Sequence, residues 1–216
     1  QATAVVPYAA VRDVAVEWAP DRLAEVFEET VGIAVEREDG RQTLVIELPP
    51  GERETLVRTL FEGLLGERGA VVRHPATVGH QVTDVEPVRR RVAAVDGRLE
   101  VRDDDGADPA IALADVVGVD RESLTVDGAV HHGVLVEHVR RDGRQVGTLL
   151  APVDDRARRL LERYVRADLD YREQRAADAD LSSDEHDVLD ALETNPGKRN
   201  LAKLLDMDRD RLTTVL

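Results

Sequence analysis

The chain has 216 residues, with 44 acidic against 29 basic side chains and a formal net charge of -15. It contains no cysteine, which excludes disulfides, thiolate catalysis and cysteine-ligated zinc. No apolar run approaches the ~18 residues of a membrane span and no signal peptide opens the sequence, so a cytoplasmic location without membrane insertion is expected.

Lys198 and Lys203 are the only lysines; every other basic residue is arginine. Acidic, lysine-poor and arginine-rich usage fits a protein of a salt-loving archaeon with a GC-rich genome, whose dense carboxylates stay hydrated in concentrated salt. The acidity therefore reports habitat and says little about partners.

In chain order, residues 2–6 and 11–17 read as strands joined at Pro7-Tyr8. Pro20 suits a first helical turn, and Leu23, Val26 and Phe27 give a short apolar face. A hairpin over 31–37 and 42–48 is stopped by Pro49-Pro50-Gly51. A helix is predicted from about Glu52 to Leu65, with Leu56, Leu60, Phe61 and Leu64 at helical spacing. Residues 66–79 read as a connector holding one short strand, Val71-Val72-Arg73. A hairpin follows over 89–95 and 98–102, turning at Asp96-Gly97. Further strands are predicted near 110–113, 116–120, 123–127, 131–139 and 145–150, and a closing helix from about Asp154 to Arg172.

One stretch occurs twice. Gly32-Ile33-Ala34-Val35-Glu36 with Asp39-Gly40-Arg41-Gln42 matches Gly133-Val134-Leu135-Val136-Glu137 with Asp142-Gly143-Arg144-Gln145. Each copy is a strand, an Asp-Gly turn, a second strand and an amphipathic helix, and Asp-Gly between apolar runs is a strong hairpin signal. The common order implies a duplicated module. The fold expected is α+β: two tandem small β-barrel or sandwich modules, 1–70 and 71–172, each closed by a C-terminal helix. The first module lacks two early strands, which a segment before Gln1 would supply.

The last piece differs in kind. Ser182 and Glu185 form a capping box. Val188, Leu189 and Leu192 give one helix, ended by Asn195-Pro196-Gly197; Leu201, Leu204 and Leu205 give a second; Leu212 and Val215 a third. Residues 181–216 read as a helix-turn-helix, resembling the front of a winged helix.

Catalytic chemistry finds little material. His132 and His138 share a strand face but lie about 20 Å apart at ~3.3 Å per residue, too far to hold one ion with His131. Asp103-Asp104-Asp105-Gly106 lacks the remaining oxygens of a calcium loop. Ser123, Ser182 and Ser183 have no nucleophile-elbow context, and no phosphate-cradling glycine pattern follows a strand. No enzyme activity, cofactor or metal is expected. Asp206, Asp208 and Asp210 against Arg209 and Arg211 oppose the basic footprint that DNA requires, so no nucleic acid is expected.

Positive charge concentrates on the second closing helix. Arg156, Arg159, Arg163 and Arg166 fall within a stripe of about 80°, opposite Ala157, Leu160, Leu161 and Tyr164. Arg89, Arg90 and Arg91 form a second cluster. Beside the reading as a solvated face paired with carboxylates stands a sharper one, a docking surface for an acidic partner.

The run Val72-Arg73-His74-Pro75-Ala76-Thr77-Val78-Gly79, with Val82-Thr83-Asp84 behind it, resembles the archaeal chemotaxis adaptor family CheF. So do Phe27-Glu28-Glu29-Thr30-Val31, Arg163-Tyr164-Val165-Arg166 and the Leu181-Ser182 start of the terminal helices. The resemblance implies pleckstrin-homology-like modules and a non-enzymatic adaptor in chemotaxis or phototaxis. Such an adaptor binds the phosphorylated response regulator CheY and relays the signal to the switch complex of the archaellum motor. The resemblance assigns no binding residue. The alternative is a transcriptional regulator acting through the terminal helices.

Overall fold

In the computed structural model the described residues are 5–16, 30–49, 51–103 and 106–177. They form eleven strands and two α-helices: β1 (Val11–Val16), β2 (Thr30–Arg37), β3 (Gly40–Glu47), α1 (Arg53–Leu65), β4 (Glu67–Val78), β5 (Gln81–Val82), β6 (Val88–Val95), β7 (Arg98–Asp103), β8 (Gly106–Ala112), β9 (Val116–Val126), β10 (Ala129–Val139), β11 (Gln145–Pro152) and α2 (Asp155–Ala177). β1, β2 and β3 make a three-stranded sheet. An eight-stranded sheet runs β8-β7-β6-β4-β11-β10-β9, with β5 paired to β4 off this path. The chain divides into two compact units, Gln1–Arg172 and Glu173–Leu216.

Turn chemistry places the hairpins. Val95 pairs with Arg98, so Asp96-Gly97 is a two-residue turn, and both residues take the positive φ (49° and 69°) such a turn demands. The duplicated stretch is two hairpins, as the sequence says. Their turns differ: Arg37 pairs with Gly40 in the first, whereas Val139 pairs with Gln145 across a longer loop in the second. Gly133, which opens the second copy, is there for space, since a Cβ would sit 2.8 Å from the Leu150 carbonyl oxygen.

Both copies turn alternate residues into the same interior. Val31, Ile33 and Val35 from the small sheet join Val134 and Val136 from the large one, with Phe61 and Leu64 of α1 and Leu160, Leu161, Tyr164 and Val165 of α2. Phe61 stacks on Tyr164 with ring centroids 5.4 Å apart. Glu62 ties the layers, accepting hydrogen bonds from the Gly97 backbone N–H at 3.0 Å and the Tyr164 hydroxyl at 3.4 Å. Removal of this apolar area from water, at roughly 25 cal/mol per Å², is the main driving term.

That shared interior corrects the expected fold. Two tandem pleckstrin-homology-like modules do not form: β1–β3 and α1 make an open three-stranded sheet and a helix that complete the core of the large sheet. The duplication records a hairpin-plus-helix unit, and such a unit is too small to bury its own apolar face. No helix-turn-helix occurs among the described residues. Residues 181–216, where one is predicted, lie outside them, as does the short helix predicted near Pro20–Phe27.

The predicted connector 66–79 is instead β4, twelve residues long and central in the sheet. The sequence hides it because both faces are buried, through Ala70 and Val72 on one side and Val71 and Ala76 on the other, so alternation is lost. Pro75 fits there through a bulge. Leu149 pairs with Arg73 and Gly147 with Thr77, so His74, Pro75 and Ala76 together face Thr148 alone, and the His74–Pro75 peptide is cis. The strands predicted at 116–120 and 123–127 are one continuous edge strand, β9. Among the described residues no helix is long and apolar enough to cross a membrane.

Candidate docking face

Helix α2 begins where the Asp154 carboxylate accepts a hydrogen bond from the Ala157 backbone N–H at 2.7 Å, a side-chain N-cap. Its apolar side enters the core through Ala157, Leu160, Leu161, Tyr164 and Val165. The four arginines of the predicted stripe therefore face outward, but they meet different surroundings.

Arg156 serves the fold. Its Nε donates to the Val11 carbonyl at 2.8 Å and its Nη2 to the Tyr8 carbonyl at 2.7 Å, occupying backbone acceptors of the edge strand β1 and the turn before it. Burial, then the neighbouring Arg68 and Arg12 charges, hold the Arg156 pKa below its ordinary value. Arg166 donates to the Val119 carbonyl at 3.2 Å, and Arg172 to the Val116 carbonyl at 2.9 Å. α2 thus holds the start of β1 and the start of β9 through arginine side chains bonded to their carbonyls. Nearby, the Arg121 guanidinium lies 2.9 Å from the largely buried Glu162 carboxylate, whose hydrogen bond raises the Arg121 pKa.

Arg163 and Arg159 are the outward pair. Arg163 meets Asp13 through two contacts, Nε to Oδ1 at 2.7 Å and Nη2 to Oδ2 at 3.0 Å, the fork geometry favoured by guanidinium and carboxylate. Both side chains are partly exposed, so the pair contributes about 0.2–1 kcal/mol at most and mainly fixes position. Arg159, one turn away, is exposed and makes no ion pair or hydrogen bond among the described residues.

Beside Arg163 lies a shallow groove of about 290 Å³, its floor made of Ala15, Gly32, Ala34 and Thr43 from the outer face of the small sheet. Asp13 and Arg163 form one bank and Arg41 belongs to the same lining. Sequence periodicity could not place Arg41 here, because it sits on a hairpin more than a hundred residues from α2. Arg89, Arg90 and Arg91 are on β6 and are not part of this groove. Arg91 pairs with Glu67 at 3.4 Å, Arg90 donates to the Arg89 carbonyl at 3.2 Å, and Arg89 is exposed.

Histidines take part in two separate side-chain hydrogen-bond groups. Ser123 and His132 face each other across β9 and β10 at 2.9 Å. His138 is joined through the buried Thr148 hydroxyl to His74, at 3.1 Å and 2.7 Å. Among the described residues no group of three histidines, aspartates or glutamates is arranged to hold a metal ion.

A family model described as archaeal chemotaxis signal transduction system protein F, CheF, matches residues 1–171. The chain belongs to the CheF family. The taxis protein CheF2 of Halobacterium salinarum is 32% identical over 211 residues, covering 98% of this chain and 72% of the relative. The taxis protein CheF1 of the same organism is 28% identical over 162 residues, covering 75% of this chain and 54% of the relative. The chain thus spans most of one CheF relative and about half of the other. It is a chemotaxis signal-transduction protein by family. The matched span contains Arg156 to Arg166 of α2, the groove and the His74-Pro75 bulge.

Proposed function

We propose that this chain is a non-enzymatic adaptor that binds phosphorylated CheY and relays its state to the switch complex of the archaellum motor. Membership of a chemotaxis family along nearly the whole described length carries the reading. The docking face is the seam between α2 and the small sheet, where Arg41 and the Asp13-paired Arg163 line a floor of small side chains, with the exposed Arg159 one turn along α2. On a chain of net charge -15 such a face is locally distinct, and guanidinium forks suit the carboxylates around a response regulator's phosphorylation pocket. Arg156 and Arg166 support this face from beneath, since their guanidinium groups are engaged with backbone carbonyls.

The mechanism needs no covalent step. Phosphorylation raises CheY affinity for the adaptor, and the bound pair shifts the motor's two-state equilibrium by binding one state more tightly. A tenfold preference corresponds to about 1.4 kcal/mol. The test is CheY affinity, with and without a phosphoryl mimic, for the native chain and for the double variant Arg159→Glu, Arg163→Glu. The variant is expected to lose at least tenfold while Arg89→Glu changes little. Unchanged affinity in a folded double variant removes this face from the proposal; absence of CheY binding by the native chain removes the adaptor role.

A further inference from the structure

The large sheet curls so that its edge strand β8 approaches the β10–β11 hairpin, although four strands separate β8 from β10 in the sheet order. Between them is a cleft of about 540 Å³. Its base is the His74–Thr148–His138 group, with the two imidazole rings stacked at 6.0 Å and the Thr148 hydroxyl fully buried. The three-residue bulge in β4 swings His74 against Thr148, so this base is built by the backbone and does not depend on a mobile loop.

Three guanidinium groups surround the cleft: Arg98 from β7, and Arg140 and Arg141 from the β10–β11 loop. None of them makes an ion pair or side-chain hydrogen bond among the described residues. Two carboxylates also line it. Asp142 is already engaged by Arg144, which donates its backbone N–H at 3.2 Å and lies 3.7 Å away through Nε. Among the described lining residues Asp115 remains as one counter-charge to three arginines. Where acidic side chains outnumber basic ones 44 to 29, three arginines without an ion pair among the described residues around a single recess run against the composition.

The chemistry of the walls narrows the ligand. Guanidinium forks match tetrahedral and planar oxyanions. Ala110, Ala112, Ile111 and Val139 supply the rest of the described lining, which holds no Phe, Tyr or Trp ring to stack on a nucleobase. The base is recessed, His138 being 6% exposed, which suits a small molecule better than the surface of a folded partner.

We propose that this cleft binds a small phosphate-class oxyanion, held by Arg98, Arg140 and Arg141 above the His74–Thr148–His138 base. The anion is either free phosphate or the phosphoryl group of a small phosphomonoester. Its charge would favour protonation of His138, a group otherwise disfavoured as a cation by burial, His74 and Arg140 and aided only by Asp115.

The test is a titration of the full chain at constant ionic strength, with inorganic phosphate in one arm and glycerol phosphate in the other, following the imidazole resonances. Saturable shifts are expected at His74 and His138, with none at His131 and His132. In Arg98→Gln, Arg140→Gln the dissociation constant should rise at least tenfold at unchanged Tm, and Arg141→Gln gives a second variant if that pair does not fold. Tighter binding in one arm identifies the source of the phosphoryl group. No saturable shift in either arm, or equal affinity in the folded variants, overturns the proposal.

Discussion

Replacing Phe61 by Ala tests whether the two sheets share one interior. Phe61 is fully buried in α1 and stacks on Tyr164 of α2 at 5.4 Å, inside the cluster that also holds Ile33 and Val35 of the small sheet and Val134 and Val136 of the large one. A buried Phe→Ala change costs about 3–5 kcal/mol through lost transfer energy and the cavity left behind. The lost ring pair accounts for about 1 kcal/mol of that. At about 2–4 °C per kcal/mol for a unit of this size, Tm should fall by roughly 10 °C. The assay is thermal unfolding joined to amide hydrogen exchange, and Val35 and Val136 should lose protection together. Loss confined to β2 and β3, with β10 and β11 unmoved, would refute the common core, as would a cost below about 1 kcal/mol.

Three further outcomes follow from particular contacts. Arg156→Ala leaves the Tyr8 and Val11 carbonyls without their guanidinium donor and should cost about 1–3 kcal/mol, with faster amide exchange along Val11–Val16; Arg156→Lys should recover only part of it. Thr148→Val removes the hydroxyl that bridges His74 and His138 and should cost about 1–3 kcal/mol in urea unfolding at pH 7. Burial lowers the His138 pKa from 6.5 to about 4, so the unfolded chain binds the extra proton between those values and this group's stability is complete above pH 6.5 and lost as pH falls toward 4. The loss approaches about 3 kcal/mol, and His138→Gln should lose less stability over that interval than the native chain when both are unfolded in urea.

Local signals were legible because they need only neighbours in sequence. Asp96-Gly97 announced its hairpin, the Gly32 and Gly133 runs announced theirs, and apolar spacing marked α1 and α2 to within a few residues. β4 has Gly66 at its entry and contains Gly69 and Pro75, residue types that usually interrupt strands, and the fold uses them at a turn, an exposed strand position and a bulge. Its double-sided burial also removed the period-two pattern. The gap left at Arg121-Glu122 between two expected strands is part of β9, where polar residues of an edge strand face solvent or α2.

The helical wheel groups Arg156, Arg159, Arg163 and Arg166, but it does not show what each one meets. Arg156 reaches a carbonyl 145 residues away and His74 a hydroxyl 74 residues away, distances at which no periodicity operates. The same limit explains the fold. Duplication was visible, while the choice between two small interiors and one joint interior depends on how Phe61 and Tyr164 meet.

The adaptor role is tested most directly by asking whether one molecule of the chain holds both partners at once. Purified chain, CheY carrying a phosphoryl mimic and the archaellum switch complex are mixed and resolved by size, at salt matched to the chain's acidic surface. A ternary complex that requires the chain and is enriched by the phosphoryl mimic is the expected result. If CheY and the switch complex compete for the chain, or associate equally well without it, the account is wrong.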